Sequence, residues 1–273
     1  VFKADDRETR MNRGGLAVGA AALLAVLNLG AAEPGPARPY LTAEATPDAT
    51  DLLGPPPPEG SGTKAGDVAT YQATRKLEGG ARWALAARDA EYGPAVMMAD
   101  FSCAVGVRLT PDNFPALLRL FSRAQLDSGR IMGRAKIAYR RPRPFVELGG
   151  KICVAPDPGL AKSYSYPSGH STYGWTAGLI LAQVAPDRAA TILARARAYG
   201  ESRVVCGVHY ESDVAAGRAT GSALFSALQT RPDFQADVAA ASADLARARV
   251  GAGAAPDAGA CKAEADASAT PVW

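Results

Sequence analysis

The chain has only two histidines, His170 and His209, and each lies among small and polar residues. His170 closes the run Tyr166-Pro167-Ser168-Gly169-His170, and an apolar helical pattern begins directly after Ser171-Thr172. A turn that runs into a helix N-terminus presents unpaired backbone N–H groups and the positive end of the helix dipole, and Ser168 and Gly169 let an anion come close to both. His209 lies six residues after Arg203 and four before Asp213. If that stretch is helical, His209 and Asp213 share a face one turn apart, so the carboxylate takes the proton of one ring nitrogen and leaves the other free. A histidine held in that way is a nucleophile or a base. A lone histidine is more often satisfied by a nearby carbonyl in a core, and it is the combination with Asp213 and Arg203 that favours chemistry.

A third polar cluster comprises Lys136, Tyr139, Arg140, Arg141, Pro142, Arg143 and Pro144. Lys136 ends a helical pattern, while Pro142 and Pro144 make the following stretch rigid and extended, with Arg143 held between them. Lys136, Arg143 and Arg203 together suit a tetrahedral dianion, the arginines as planar forks and the lysine as a point charge. Arg140 and Arg141, taken individually, read as a basic surface patch. The sequence offers no clustered carboxylates for a divalent cation, and three fixed positive charges take the place such an ion fills elsewhere.

The elements that must position these groups read as helices. Alanine is abundant, aromatic residues make up only 7% and alternating β-branched runs are few, so the fold class expected is all-α. Helical patterns cover Asp67 to Leu77, Ala81 to Glu91, Asp112 to Tyr139, Ser171 to Val184, Asp187 to Cys206, Ser212 to Leu228 and Asp233 to Val250. In the fifth of these Ile192, Ala196, Tyr199 and Arg203 share one face, which puts an arginine in line with an otherwise buried stripe. Residues 33–66, with Pro55 to Pro58, read as a Pro/Gly-rich arm laid on the domain or left mobile, residues 67–250 as the catalytic domain, and residues 251–273 as a loose tail.

In order, Lys136 with six residues before Arg143-Pro144, then Pro167-Ser168-Gly169-His170, then Ser202-Arg203 with five residues before His209 and three more before Asp213, resemble the three-part signature of the type 2 phosphatidic acid phosphatase superfamily. Within it the chain is most similar to the class A bacterial non-specific acid phosphatases, through Pro55 to Pro58 with Gly60-Ser61, the run Ser165 to His170, and Ser202 to Gly207 leading to Ser212-Asp213. The similarity runs from about Leu52 to Leu245. It implies a helical bundle with the site between its central helices, phosphomonoester substrates, hydrolysis with transfer to other alcohols as a side reaction, no metal or other cofactor, and a homodimer or higher oligomer. It also implies roles. His209 attacks phosphorus, Asp213 orients it, His170 protonates the leaving alcohol and then activates water, and Lys136, Arg143, Arg203, Ser168 and the Gly169 N–H hold the equatorial oxygens. Ser171 departs from the threonine common in that family, and Cys103, Cys261 and the tail lie outside its pattern. A vanadium-dependent haloperoxidase shares such a pocket but is usually much longer. A membrane lipid phosphatase shares the motifs but needs several spanning helices. A phosphate-binding module would need the cations but not His209 beside Asp213.

The apolar segment from Leu16 to Leu29, flanked by Arg7, Arg10 and Arg13 and followed by Gly30-Ala31-Ala32, has the three-part form of a signal peptide, with Met11 as an alternative start to Val1. Residues 1–32 are therefore expected to be a removable address, leaving a periplasmic or secreted protein without stable membrane insertion. The four cysteines suit disulfides in such a compartment, and Cys153 and Cys206, both beside the motifs, are the pair favoured over buried free thiols. A formal net charge of +3 is too small for a protein built to coat nucleic acid.

Overall fold

The computed structural model describes residues 37–250 and 255–272, and its regular structure there is helical throughout. The helices are α1 (Ala49–Leu52), α2 (Gly62–Thr74), α3 (Ala81–Arg88), α4 (Pro94–Val105), α5 (Pro115–Tyr139), α6 (Pro144–Glu147), α7 (Pro158–Lys162), α8 (Gly169–Val184), α9 (Ala189–Val205), α10 (Glu211–Leu228), α11 (Pro232–Arg249) and α12 (Ala258–Ser268). Helix α8 is the central element, packed mainly on α9 and α10 and further on α5 and α11, while α3 and α4 cover α9. Its sequence is apolar around the whole circumference, as a buried helix requires.

Glycines set how closely these helices approach. A Cβ on Gly174 of α8 would lie 2.3 Å from the Tyr199 ring on α9, and one on Gly178 would lie 2.5 Å from the Ala196 Cβ. On α10, Gly217 and Gly221 turn the same trick against α8, where a Cβ would come within 2.7 Å of the Ser168 and Thr172 carbonyl oxygens. The three helices that carry the histidine and arginine motifs are thereby brought backbone to backbone. Around them Phe101, Phe121, Tyr173, Ile180, Tyr199, Leu224 and Phe234 fill one continuous apolar core.

The Pro/Gly-rich arm lies on the domain. Asp127 on α5 accepts the backbone N–H groups of Tyr40 at 2.9 Å and Leu41 at 3.2 Å, and the Tyr40 ring sits beneath the Arg123 guanidinium at 3.6 Å. Tyr139 and Tyr166 donate to the carbonyls of Leu53 and Gly54, and the four prolines then lead to Ser61, which caps α2. Helix α2 therefore starts within the stretch expected to be arm.

The structure adds one helix to those expected and corrects one expectation. Residues 94–105 form α4, although the run from Pro94 to Val105 is too uniformly apolar to show a helical period. The segment expected to be a loose tail contains α12, which a disulfide from Cys261 to Cys103 fastens to α4. Its Glu264 lies between Arg88 and the buried Arg195, and Arg195 also pairs with Asp89 at 2.5 Å. Charge pairing and a covalent bond hold a helix that lacks an apolar face. The apolar segment at 16–29 lies outside the described residues, among which no helix is long and apolar enough to cross a membrane.

Close packing at Gly217 has a measurable consequence. Gly217→Ala forces a methyl against a backbone oxygen and is expected to cost about 1–3 kcal/mol. Gly129→Ala, on an open face of α5 with nothing within 4 Å, is expected to stabilise by about 0.5–1 kcal/mol through the helix preference of alanine. Urea unfolding of both variants checks the contrast, and a Gly217→Ala variant as stable as the parent contradicts the packing argument.

Candidate active site

The site is assembled at helix ends: the last turns of α5 and α9 and the first turns of α8 and α10. Helix α8 begins at Gly169 with Ser168 as its cap, the Ser168 hydroxyl accepting the Ser171 N–H at 3.3 Å and the Ser171 hydroxyl at 2.9 Å. The Ser168 N–H itself donates to the Asp213 carbonyl at 3.0 Å, which ties this turn to α10. A side chain at Gly169 would meet Met132 at 2.9 Å, so the first turn of α8 is left with bare backbone. His170 is sandwiched between the rings of Tyr92 and Tyr199, and its Nε2–H donates to the Ala90 carbonyl at 3.1 Å. That bond fixes the proton on Nε2 and leaves Nδ1 as the free acceptor.

Helix α9 ends in a Schellman turn. The Gly207 N–H reaches the Val204 carbonyl and the Val208 N–H the Arg203 carbonyl, with Gly207 at φ +84°. A Cβ there would also lie 2.4 Å from Arg75, whose guanidinium caps the carbonyls of Val204 and Val205. The reversal brings His209 back over the turn that carries Arg203, its own N–H on the Arg203 carbonyl at 3.3 Å. Cys206, in the same turn, is bonded to Cys153.

His209 is not helical, which corrects the expectation of a shared helix face with Asp213. Tyr210 caps α10, and Asp213, third in the helix, reaches back to accept the Tyr210 N–H at 2.9 Å. The same oxygen, Oδ2, lies 3.3 Å from His209 Nδ1. The pairing is therefore made by a capping box, and it leaves His209 as the Nδ1–H tautomer with its Nε2 lone pair free. That lone pair accepts from Arg143 Nη1 at 3.0 Å.

Arg143 stands between its prolines in extended conformation and donates also to the Val208 carbonyl at 2.8 Å and to Ser163. Lys136, in the last turn of α5, donates to the Tyr164 carbonyl at 2.6 Å. Arg203 is 3% exposed, and its Nε and Nη1 have no hydrogen-bond partner. Among the described residues none of these three cations forms an ion pair. Burial, with Arg143 beside it, lowers the Lys136 ammonium to about 7, and burial, with Arg203 near, lowers Arg143 to about 10. Burial holds both histidines well below the ordinary imidazole range, reinforced chiefly by Arg143 at His209 and by Arg203 at His170. The arrangement gathers three buried cations near an imidazole whose Nε2 keeps a lone pair, chemistry suited to holding an anion and to nucleophilic attack on it.

Lys136, Arg143, Ser168, Gly169, His170, Arg203, His209 and Asp213 are thus gathered by four segments of chain. Sequence reasoning placed Arg141 on the surface, and the structure overturns this. Arg140 takes the left-handed conformation at φ +45° and stays exposed, whereas Arg141 turns inward, is 5% exposed, and donates to Asp213 Oδ1 at 2.6 Å. Its position directly before a proline in an extended stretch was the one available signal.

Residues 120–234 match the family model described as PAP2 superfamily. The acid phosphatase of Zymomonas mobilis subsp. mobilis is 44% identical over 216 residues, which cover 79% of this chain and 81% of that protein. The non-specific acid phosphatases of Providencia stuartii and Salmonella typhimurium are 36% and 34% identical, covering 76% and 74% of this chain and 85% and 82% of theirs. The chain belongs to the PAP2 superfamily. Its place within that superfamily is with the acid phosphatases.

The lowered Lys136 gives the site a pH signature. The lysine is charged below about 7 and neutral above, so affinity for an anion of constant charge should fall as the pH rises through that value. Calorimetric titration with sulfate should show this decline, and Lys136→Arg, whose charge persists, should flatten it. Sulfate affinity that is constant from about pH 5 to about pH 9 in the parent protein contradicts the assignment.

Proposed function

We propose that this protein is an exported phosphatase that hydrolyses phosphomonoesters without a metal ion, through a phosphohistidine on His209. The observation that carries the reading is the unpaired buried guanidinium of Arg203 facing a histidine whose other nitrogen is already held by Asp213. Buried donors without partners are costly, and a phosphoryl group supplies the missing acceptors.

When the ester enters, its equatorial oxygens take up Lys136, Arg143, Arg203, Ser168 and the Gly169 N–H. Arg143 then leaves His209 Nε2 for the phosphate, which uncovers the lone pair. Nε2 of His209 attacks phosphorus, the bond to the leaving oxygen breaks, and a proton that His170 Nδ1 has taken from solvent on substrate binding passes to that oxygen. The dianion offsets the positive charge of Arg203 and Arg143 that adds to burial in keeping His170 neutral, so binding itself raises the histidine toward its acid form. Water then attacks phosphorus and gives a proton to His170, the P–N bond breaks, and inorganic phosphate leaves. An acceptor alcohol in place of that water gives phosphotransfer. A binding module would use the same cations but gain nothing from the His209–Asp213 pair. Two disulfides agree with an oxidising compartment, which supports export together with the apolar segment at 16–29.

Turnover of p-nitrophenyl phosphate is expected to persist in EDTA and to be blocked by vanadate, a mimic of five-coordinate phosphorus. His209→Ala should abolish it. His170→Ala should still release a burst of nitrophenol, a leaving group that needs no proton, and then stall because water is not activated. With an alkyl phosphate the same variant should give no burst. A burst in His209→Ala, equal losses for His170→Ala on both esters, or activity that EDTA removes and Mg²⁺ restores overturns the mechanism.

A further inference from the structure

Arg141 lies beside the carboxylate that holds His209, and both of its terminal nitrogens are engaged by protein groups. Nη1 is bound by Asp213 Oδ1 at 2.6 Å and the Ser212 hydroxyl at 2.8 Å, and Nη2 by Asp67 Oδ2 at 2.7 Å. Its guanidinium lies over the Tyr210 ring at 4.1 Å, so the plane of the fork is fixed as well. Asp67, on α2, is 3% exposed and receives three donors: the Ser212 N–H at 2.9 Å, the Ser212 hydroxyl at 2.5 Å and Arg141. Burial alone would lower Arg141, but Asp213 and Asp67 more than offset it and hold the side chain firmly charged.

We propose that Asp67 and Arg141 are positioning residues for the nucleophile, forming a buried chain Asp67–Arg141–Asp213–His209 that fixes the imidazole through its carboxylate; this rests on the reading of His209 as the nucleophile. The chain engages both oxygens of the orienting carboxylate. Arg141 occupies Oδ1, which leaves Oδ2 to the Tyr210 N–H and to His209 Nδ1 and prevents the carboxylate from rotating away. Asp67 gives the buried Arg141 a second counter-charge, so that Asp213 does not have to neutralise it alone. It also ties the first residues of α10 to α2, since Ser212 bonds Asp67 through both backbone and side chain. Asp67 lies outside the residues matched to the PAP2 family model, so this support comes from the helix that follows the proline arm and not from the shared motifs.

Asp67→Asn tests the chain, because an amide has one acceptor oxygen where three donors now converge and Arg141 loses its counter-charge. Arg141→Lys is the companion, since an ammonium cannot fork to two carboxylates. In the full-length protein each variant should lower kcat for p-nitrophenyl phosphate by about ten- to a hundredfold, as small misplacements of a reacting group do. KM and sulfate affinity should stay within about twofold, because no substrate contact is removed. The double variant should lose no more than the worse single one.

The chain has just two histidines, so the ring-nitrogen NMR spectrum carries a readout independent of turnover. The His209 signals should shift in both variants while those of His170 stay in place. Unmoved His209 signals in a folded variant, equal displacement of both histidines, or a loss explained wholly by fewer active sites overturns the proposal. If Asp67→Asn does not fold, the same comparison in Arg141→Lys decides. If the parent protein proves to have no phosphatase activity, the function reading fails, and the His209 signals still report whether the chain positions the ring.

Discussion

Everything around the site answers to one electrostatic constraint: Lys136, Arg143 and Arg203 are held inside the bundle near two histidines without a carboxylate in contact. Charges buried without partners cost several kcal/mol each, and a fold tolerates this only if neighbouring structure fixes them in place. Here backbone carbonyls do that work, those of Tyr164, Val208 and Ser163, while Arg203 keeps two N–H groups with no partner. The cost is stored as a standing preference for an anion, toward which Arg203 already offers donors without partners among the described residues.

The same side chain serves opposite purposes a few ångströms apart. Arg141 and Arg203 are both buried, but Arg141 is held by Asp67, Asp213 and Ser212, whereas Nε and Nη1 of Arg203 have no partner among the described residues. One is a structural fork and the other is the proposed substrate ligand, and the difference lies in the counter-charges that the neighbouring elements supply. A comparable buried network, Asp89 with Arg195 and Ser202, stands behind the turn that carries Arg203 and next to the Ala90 carbonyl that holds His170. The close contacts at Gly174, Gly178, Gly217 and Gly221 allow these polar layers to meet across α8, α9 and α10 without a gap.

Much of this was legible in the sequence, for physical reasons. The residues placed around the anion site carry charge or a ring nitrogen and sit beside Pro, Gly or Ser, so their types and spacing were informative without knowing the fold. Ile192, Ala196, Tyr199 and Arg203 have a common helical face, and all are buried as that face implies. What escaped was set by contacts distant in sequence. Arg141 looks like its neighbour Arg140 until the left-handed turn at Arg140 sends the two side chains apart. Helix α4 hides in a run without polar alternation, and α12 has no apolar stripe, being held instead by Cys103 and by Glu264 between arginines. The link from Asp213 to His209 was anticipated as a helix face, and a capping box makes it instead.

The central claim is that His209 Nε2 becomes bonded to phosphorus. Rapid mixing of the protein with p-nitrophenyl phosphate, an alkaline quench and peptide mapping would locate any covalent phosphate directly. A phosphoramidate on His209, stable in base and lost in mild acid, is the predicted result. Steady turnover with no covalent phosphate, or phosphate on Ser168 or His170 with His209 unmodified, would contradict it.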